Sequence, residues 1–232
     1  MGGYSLVVDR EVIDKIISIE WDMFTVINEG ESRADCQDDK TTFEGMRAAQ
    51  FYAWSGEAAA FYLDDLETAL RESRNLVEEK YILMMEKTEP AMYNELLSRL
   101  RLPSEEARAV AHKISDLLLE QTRVMFEDYP YISGQGRPLY SEFDHMTTSV
   151  ETYQLCELLT YSEKTLNAYL SHLVKQTGEG ISLAKTILEN TIRFYGFGSL
   201  EEAEEKTKTR ANKQGKQMTF GCCAGGVCGE DN

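Results

Sequence analysis

The sequence predicts an all-α protein, a helical bundle of two tandem, duplicated helical units followed by a flexible cysteine-rich C-terminal tail. Three observations carry this. Apolar residues recur at spacings of three and four along most of the chain, the period of an amphipathic helix. Only 4 of the 232 residues are proline, while good helix formers such as Leu, Glu, Ala, Met and Lys are plentiful. No alternating apolar–polar stretch of useful length suggests a strand.

The elements follow in order. A first helix is expected from about Asp9 to Asn28, with Val12, Ile13, Ile16, Ile17, Ile19, Met23, Phe24 and Ile27 on its apolar face. Thr41-Thr42-Phe43-Glu44 has the form of a capping box and opens a second helix, to about Trp54. A third spans Ser55 to Ser73, a fourth Leu76 to Glu86, and a short one starts near Pro90. Ser104 then caps a long helix to about Glu127. Helices from Thr148 to Thr160, Ser162 to Gln176 and Ile181 to Tyr195 follow, with Gly196 and Gly198 as the stop. Ser199-Leu200-Glu201-Glu202 opens a last helix.

The duplication is read from repeated positions. Thr148-Ser149-Val150-Glu151 repeats the form of the Thr41 box 107 residues later, and at that offset Trp54-Ser55 meets Tyr161-Ser162 and Tyr62-Leu63 meets Tyr169-Leu170. Leu66 meets Leu173 and Leu76 meets Leu183 without a gap. Met23-Phe24 corresponds to Met125-Phe126 at an offset of 102, the difference being a five-residue insertion in the next loop. The expected organisation is a single helical domain over residues 5–205, with pseudo-repeats at about 9–100 and 104–205. Residues 206–232 are expected to be a polar, basic linker and a Cys/Gly-rich tail.

Charge and composition exclude several classes. A formal net charge of −16 repels phosphate backbones and anionic surfaces, so neither nucleic acid nor membrane is an expected partner. No apolar run reaches the roughly 18 residues of a membrane span. The N-terminus has neither the basic nor the long apolar region of a signal peptide. Five cysteines, an odd number without a disulfide-like framework, point to free thiols in a reducing cytoplasm. P-loop, Rossmann and nucleophile-elbow patterns are missing. Of His112, His145 and His172, only His145 has a Glu three residues before it (Glu142), so a ferritin-like di-iron centre is not expected.

Three places carry residue types suited to chemistry. Cys222, Cys223 and Cys228 lie within seven residues on the glycine-rich tail. Three thiolates suit a soft, thiophilic metal ion such as Cu(I), one ligand short of structural zinc; the competing reading is an end with incidental cysteines. The second place is the loop 29–40 with the helix 41–54. Asp35, Cys36, Gln37 and Asp38 are followed by Arg47, Gln50 and Trp54 on one helix face, with Glu20 and Trp21 on the preceding helix. This is how a small-molecule pocket is lined, with Glu20 or Asp38 as acid or base and Arg47 as anchor for an anion. The competing reading makes Asp38 or Asp39 a helix cap, Trp54 core, and Arg47 the partner of a carboxylate. The third is Arg137, in a Gly-Gln-Gly-Arg-Pro turn, as an anion clamp or simply a turn residue.

The stretches Glu20-Trp21-x-Met23-Phe24, Cys36-Gln37-Asp38, Phe43-x-x-Met46-Arg47-x-x-Gln50-Phe51-x-x-Trp54, Glu157-Leu158-Leu159-Thr160-Tyr161-Ser162 and Glu189-Asn190-Thr191 resemble a bacterial family catalogued as a domain of unknown function, number four-one-two-five. The resemblance covers about residues 5–205. It implies a bacterial cytoplasmic protein and adds weight to the loop-plus-second-helix face, but carries over no catalytic residue. Three functions are therefore expected to compete: a binding protein with a metal or thiol arm, an enzyme of small-molecule metabolism, and a scaffold for a partner protein.

Overall fold

The structure, a computed structural model, describes residues 9–27, 37–145 and 147–214. Among these residues there is no strand, and the helices are α1 (Arg10–Thr25), α2 (Lys40–Phe51), α3 (Gly56–Arg71), α4 (Leu76–Thr88), α5 (Pro90–Leu96), α6 (Glu105–Asp128), α7 (Pro130–Ser133), α8 (Val150–Leu158), α9 (Glu163–Gly178), α10 (Leu183–Phe194) and α11 (Leu200–Gln214). The described residues are all-helical, in keeping with the apolar periodicity.

Most helix starts obey the capping rule. The side chains of Asp9, Ser55, Asn75, Ser104, Ser162 and Ser182 each accept a backbone N–H of the first turn. Two starts differ from expectation. Asp39, not Thr41, caps α2 by accepting from the Thr42 N–H, and Ser149, not Thr148, caps α8 by accepting from the Thr152 N–H. In both, a stronger N-cap residue lies one or two positions from the threonine and takes the non-helical backbone position. A third difference concerns the expected linker. Lys206–Gln214 is helical and completes α11. Its residues are polar but good helix formers, Lys206 pairs with Glu202 one turn back, and Thr207 is buried. The segment 128–145, expected as a loop, contains α7 and a 3₁₀ turn at Ser141–Phe143.

The packing has a repeated pattern. α3 and α9 pack against each other at the centre; α1 packs on α2 and α3 as α6 packs on α8 and α9. α4 packs on α1 and α8, and α10 on α6 and α2, so each crosses to the other half. The contacts of single residues follow the same pattern. Trp54 stacks on Tyr169 with ring centroids 4.4 Å apart, and Tyr62 meets Tyr161 at 4.6 Å. Asp65 of α3 accepts the Ser162 N–H ahead of α9, while His172 of α9 bonds the Ala53 carbonyl ahead of α3. Gly45 allows α10 to close on α2, since a Cβ added there would overlap the Phe194 ring. Gly196, at φ 83°, ends α10 and turns the chain into Phe197.

A smaller apolar cluster of Ile132, Ile192, Phe197, Leu200 and Ala203 joins α7, α10 and α11. Glu204 of α11 accepts the N–H groups of Tyr131 and Ile132, both at 2.9 Å, and so caps α7 from outside.

Candidate functional site

Side chains of α1, α2, α4 and α8 meet in a buried polar network. Arg47 of α2 donates through Nε and Nη2 to Glu20 of α1 at 2.7 and 2.5 Å, a fork-on-carboxylate pair. Its Nη1 donates to Gln50 Oε1 at 2.7 Å and to Glu157 of α8 at 3.2 Å. Glu157 Oε1 also accepts from Gln50 Nε2 at 3.0 Å and the Tyr161 hydroxyl at 2.8 Å. Lys80 of α4 donates to Glu157 Oε2 at 3.3 Å and to the Tyr153 hydroxyl at 2.7 Å. The Tyr62 hydroxyl donates to Glu20 at 2.7 Å.

Burial favours neutral forms, but the network overrides it. For Glu157, burial would raise the pKa; Arg47 and Lys80, with Tyr161 and Gln50 donating, hold it well below the carboxylate range. Burial would likewise lower Arg47, but Glu157 and Glu20 hold it well above its usual value. Burial and then Glu157 raise Tyr161, which remains a donor. Burial pushes the Cys156 thiol up to about 12, so that thiol is not a nucleophile at neutral pH.

This network divides two cavities of very different size. One, of about 20 Å³, is bounded by Glu20, Phe24, Phe43, Arg47, Val77, Lys80, Tyr81 and Tyr153 and is filled by those side chains. The other, of about 390 Å³, opens between α2, α6, α8 and α10, with α7 and Phe197 on its outer side. Its wall is mainly apolar, with Met46, Leu118, Met125, Ile187, Leu188 and Ile192, and with the rings of Trp54, Tyr161 and Tyr169 at one end. Its charged and amide side chains are Arg47, Gln50, Glu157, Gln154, Gln135 and Arg137, and Thr122, Ser133, Thr191 and four tyrosines add hydroxyls. Arg137 is buried, donates to the Thr148 carbonyl at 2.7 Å and lies over the Tyr153 ring; burial lowers its pKa.

The residues that bound the two cavities are related by the spacings read from the sequence. At these spacings, Phe43, Val77, Lys80 and Tyr81 around the filled cavity correspond to Val150, Ala184, Ile187 and Leu188 around the open one, and Glu20 corresponds to Thr122. Four of these five residues around the open cavity are smaller, and neutral side chains stand where the filled cavity has Glu20 and Lys80.

The structure brings together Arg47, Gln50, Trp54 and Arg137 of the expected site on the open cavity. Glu20 stands behind Arg47 on the filled side. Trp21 packs edge-on against Phe43 at 5.2 Å. Gln37 donates to the Phe24 and Ile27 carbonyls and closes the C-terminal end of α1. Asp38 is exposed in the turn before α2 and lines neither cavity. Cys36, Cys222, Cys223 and Cys228 lie outside the described residues. Among the described residues, no group of three or more His, Cys, Asp or Glu is placed to hold a metal ion, and no helix is long and apolar enough to cross a membrane. The sequence reading missed Lys80, Tyr153, Gln154 and the role of Glu157; the signal for Glu157 was its offset of 107 from Gln50.

Residues 10–205 match the model of a family described as "Protein of unknown function (DUF4125)". The chain belongs to this family. The match covers both halves, all the helices that bound the two cavities, and the whole buried network. No curated protein and no solved structure matches the chain.

Proposed function

We propose that this DUF4125 chain is a binding protein for one small, mainly apolar organic molecule, held in the cavity between α2, α6, α8 and α10. The cavity itself carries the reading. Its volume of about 390 Å³ lies within the range of small-molecule sites, and its polar groups converge on a largely apolar wall. The network beside it supports binding over acid–base catalysis. Glu157 is held ionised, and its oxygens are occupied by Arg47, Lys80, Gln50 and Tyr161. A general base needs a pKa near the working pH and a free lone pair. A scaffold for a partner protein would need an apolar surface and no deep cavity, so the cavity favours the ligand reading over that one as well.

The matching contacts of the two halves support an internal duplication as the origin of the paired cavities. The cysteine tail is a separate proposal, carried by the sequence alone: Cys222, Cys223 and Cys228 act as a thiol arm for a soft metal ion. Titrating Cu(I) into the full chain and into a chain cut after Phe220 tests it, and equal stoichiometry and affinity would contradict it. A cytoplasmic site of action belongs to the same reading, on the odd number of cysteines.

The cavity reading is tested by thermal shift against a panel of small organic molecules. Val150→Phe combined with Leu188→Tyr restores in the second half the rings that fill the first. The expected result is a raised Tm with some members of the panel and no response from the double variant. No response from the wild-type chain, or the same response from both, would contradict the reading.

A further inference from the structure

The filled cavity describes what the open one lacks. In the first half three rings form an array: Phe24 stacks on Phe43 at 5.4 Å with 13° between planes, and on Tyr81 at 6.5 Å with 24°. The counterpart of Phe24 is Phe126, which lines the open cavity. The counterparts of its two stacked partners, Phe43 and Tyr81, are Val150 and Leu188, which line the same cavity and carry no rings. Among the described residues Phe126 makes no ring contact, whereas Phe24 makes ring contacts with Trp21, Phe43 and Tyr81. The two halves thus share the stacking base, and one has lost what stacks on it.

We infer that the ligand is a planar aromatic molecule that stacks on Phe126, in the space that Phe43 and Tyr81 fill in the first half. The inference rests on the cavity reading and adds the ligand's chemical class. Offset or edge-on ring pairs are favoured over equal apolar contact, because the negative face of one ring meets the positive edge of the other. The far end of the cavity continues the same chemistry with Trp54, Tyr161 and Tyr169. The charged groups on the wall are engaged in their own network, so affinity comes mainly from ring stacking and apolar burial.

A matched pair of probes separates ring stacking from simple burial. 2-Naphthol and decahydro-2-naphthol share a carbon skeleton and a hydroxyl, and only the first is planar. Calorimetric titration into the full chain should show 2-naphthol binding tighter by about two- to tenfold, the range set by one aromatic pair. Phe126→Leu should remove that preference while leaving decahydro-2-naphthol binding nearly unchanged. Val150→Phe with Leu188→Tyr should abolish binding of both probes. Circular dichroism and the melting curve establish that each variant folds, and the comparison of the two probes on the wild-type chain needs no variant. Equal affinity for the two probes would overturn the aromatic inference and leave the cavity reading standing. Failure of both probes to bind the wild-type chain, or binding unaffected by the double variant, would overturn both.

Discussion

The two halves of this protein solve one packing problem in opposite ways. In the first half, the space between α1, α2, α4 and α8 is filled by Phe43, Lys80, Tyr81 and the carboxylate of Glu20, and about 20 Å³ remains. In the second half, Val150, Ile187, Leu188 and Thr122 stand at the matching positions, and about 390 Å³ is open. The helices around each space pair in the same manner, so the difference is made by side chains and not by topology. A close-packed core does not keep a void of this size without losing contact energy on its lining. The difference teaches that side chains at a few positions decide whether this arrangement of helices closes on itself or leaves room for the proposed ligand.

The largest effect is expected where the two halves are bound together. Arg47→Met removes the side chain that, among the described residues, bonds both Glu20 of the first half and Glu157 of the second, and leaves both carboxylates buried. Breaking a buried pair from one side costs about 3–5 kcal/mol, and a urea denaturation curve should show a loss of that order. A change below about 1 kcal/mol would mean that water or rearrangement satisfies the carboxylates, and that the network does not unite the halves.

The acid dependence of stability should come from the same wall. Glu157 is held below its ordinary value of 4.5 in the folded chain. A carboxyl group whose pKa is depressed by folding stabilises the chain above the unfolded value and loses that contribution as pH falls toward the folded one. Stability should therefore hold down to about pH 4.5 and fall below it. Glu157→Gln should lower the neutral plateau and flatten the acid limb, as read by denaturation at stepped pH. An unchanged acid limb in that variant would assign the acid sensitivity to other carboxylates.

A smaller effect tests the equivalence of the halves. Ser55 and Ser162, 107 residues apart, cap α3 and α9 through the N–H of the residue three positions on. Ser55→Ala and Ser162→Ala should each cost about 1 kcal/mol in the same denaturation assay. A loss confined to one of them would show that the two central helices are not held alike.

Much of the frame was readable in the chain because it rests on local rules. Apolar periodicity marked the helices, and Ser104 and the Ser199 box marked two of their starts; Asn75 and Ser182 emerged as caps only in the structure. Two caps were displaced by one or two residues, at Asp39 and Ser149, because neighbouring residues competed for the same role. The last helix was underestimated because Lys206–Gln214 is polar on nearly every face, and a single buried Thr207 is too little signal in a sequence. The site was half readable. Arg47 and Gln50 share a face of α2 and Trp54 follows three residues past its end, so spacing was enough to unite them. Glu157, Tyr153 and Lys80 come from other helices and meet them only through the crossing of α4 and α8. Gln37 carries the residue type of a ligand contact, yet it spends both donors on the end of α1. The cavity itself is a sum of small residues at separate positions, visible only when the two halves are laid against each other.

The central claim is that one of two matching spaces is open and the other is closed by the protein's own side chains. Xenon enters apolar cavities and scatters strongly, and it needs no knowledge of the ligand. Diffraction from crystals of the full chain under xenon pressure should show an atom between α2, α6, α8 and α10, near Phe126, Ile187 and Leu188, and none beside Phe43, Lys80 and Tyr81. Xenon in both places, in neither, or beside Phe43 alone would contradict the account.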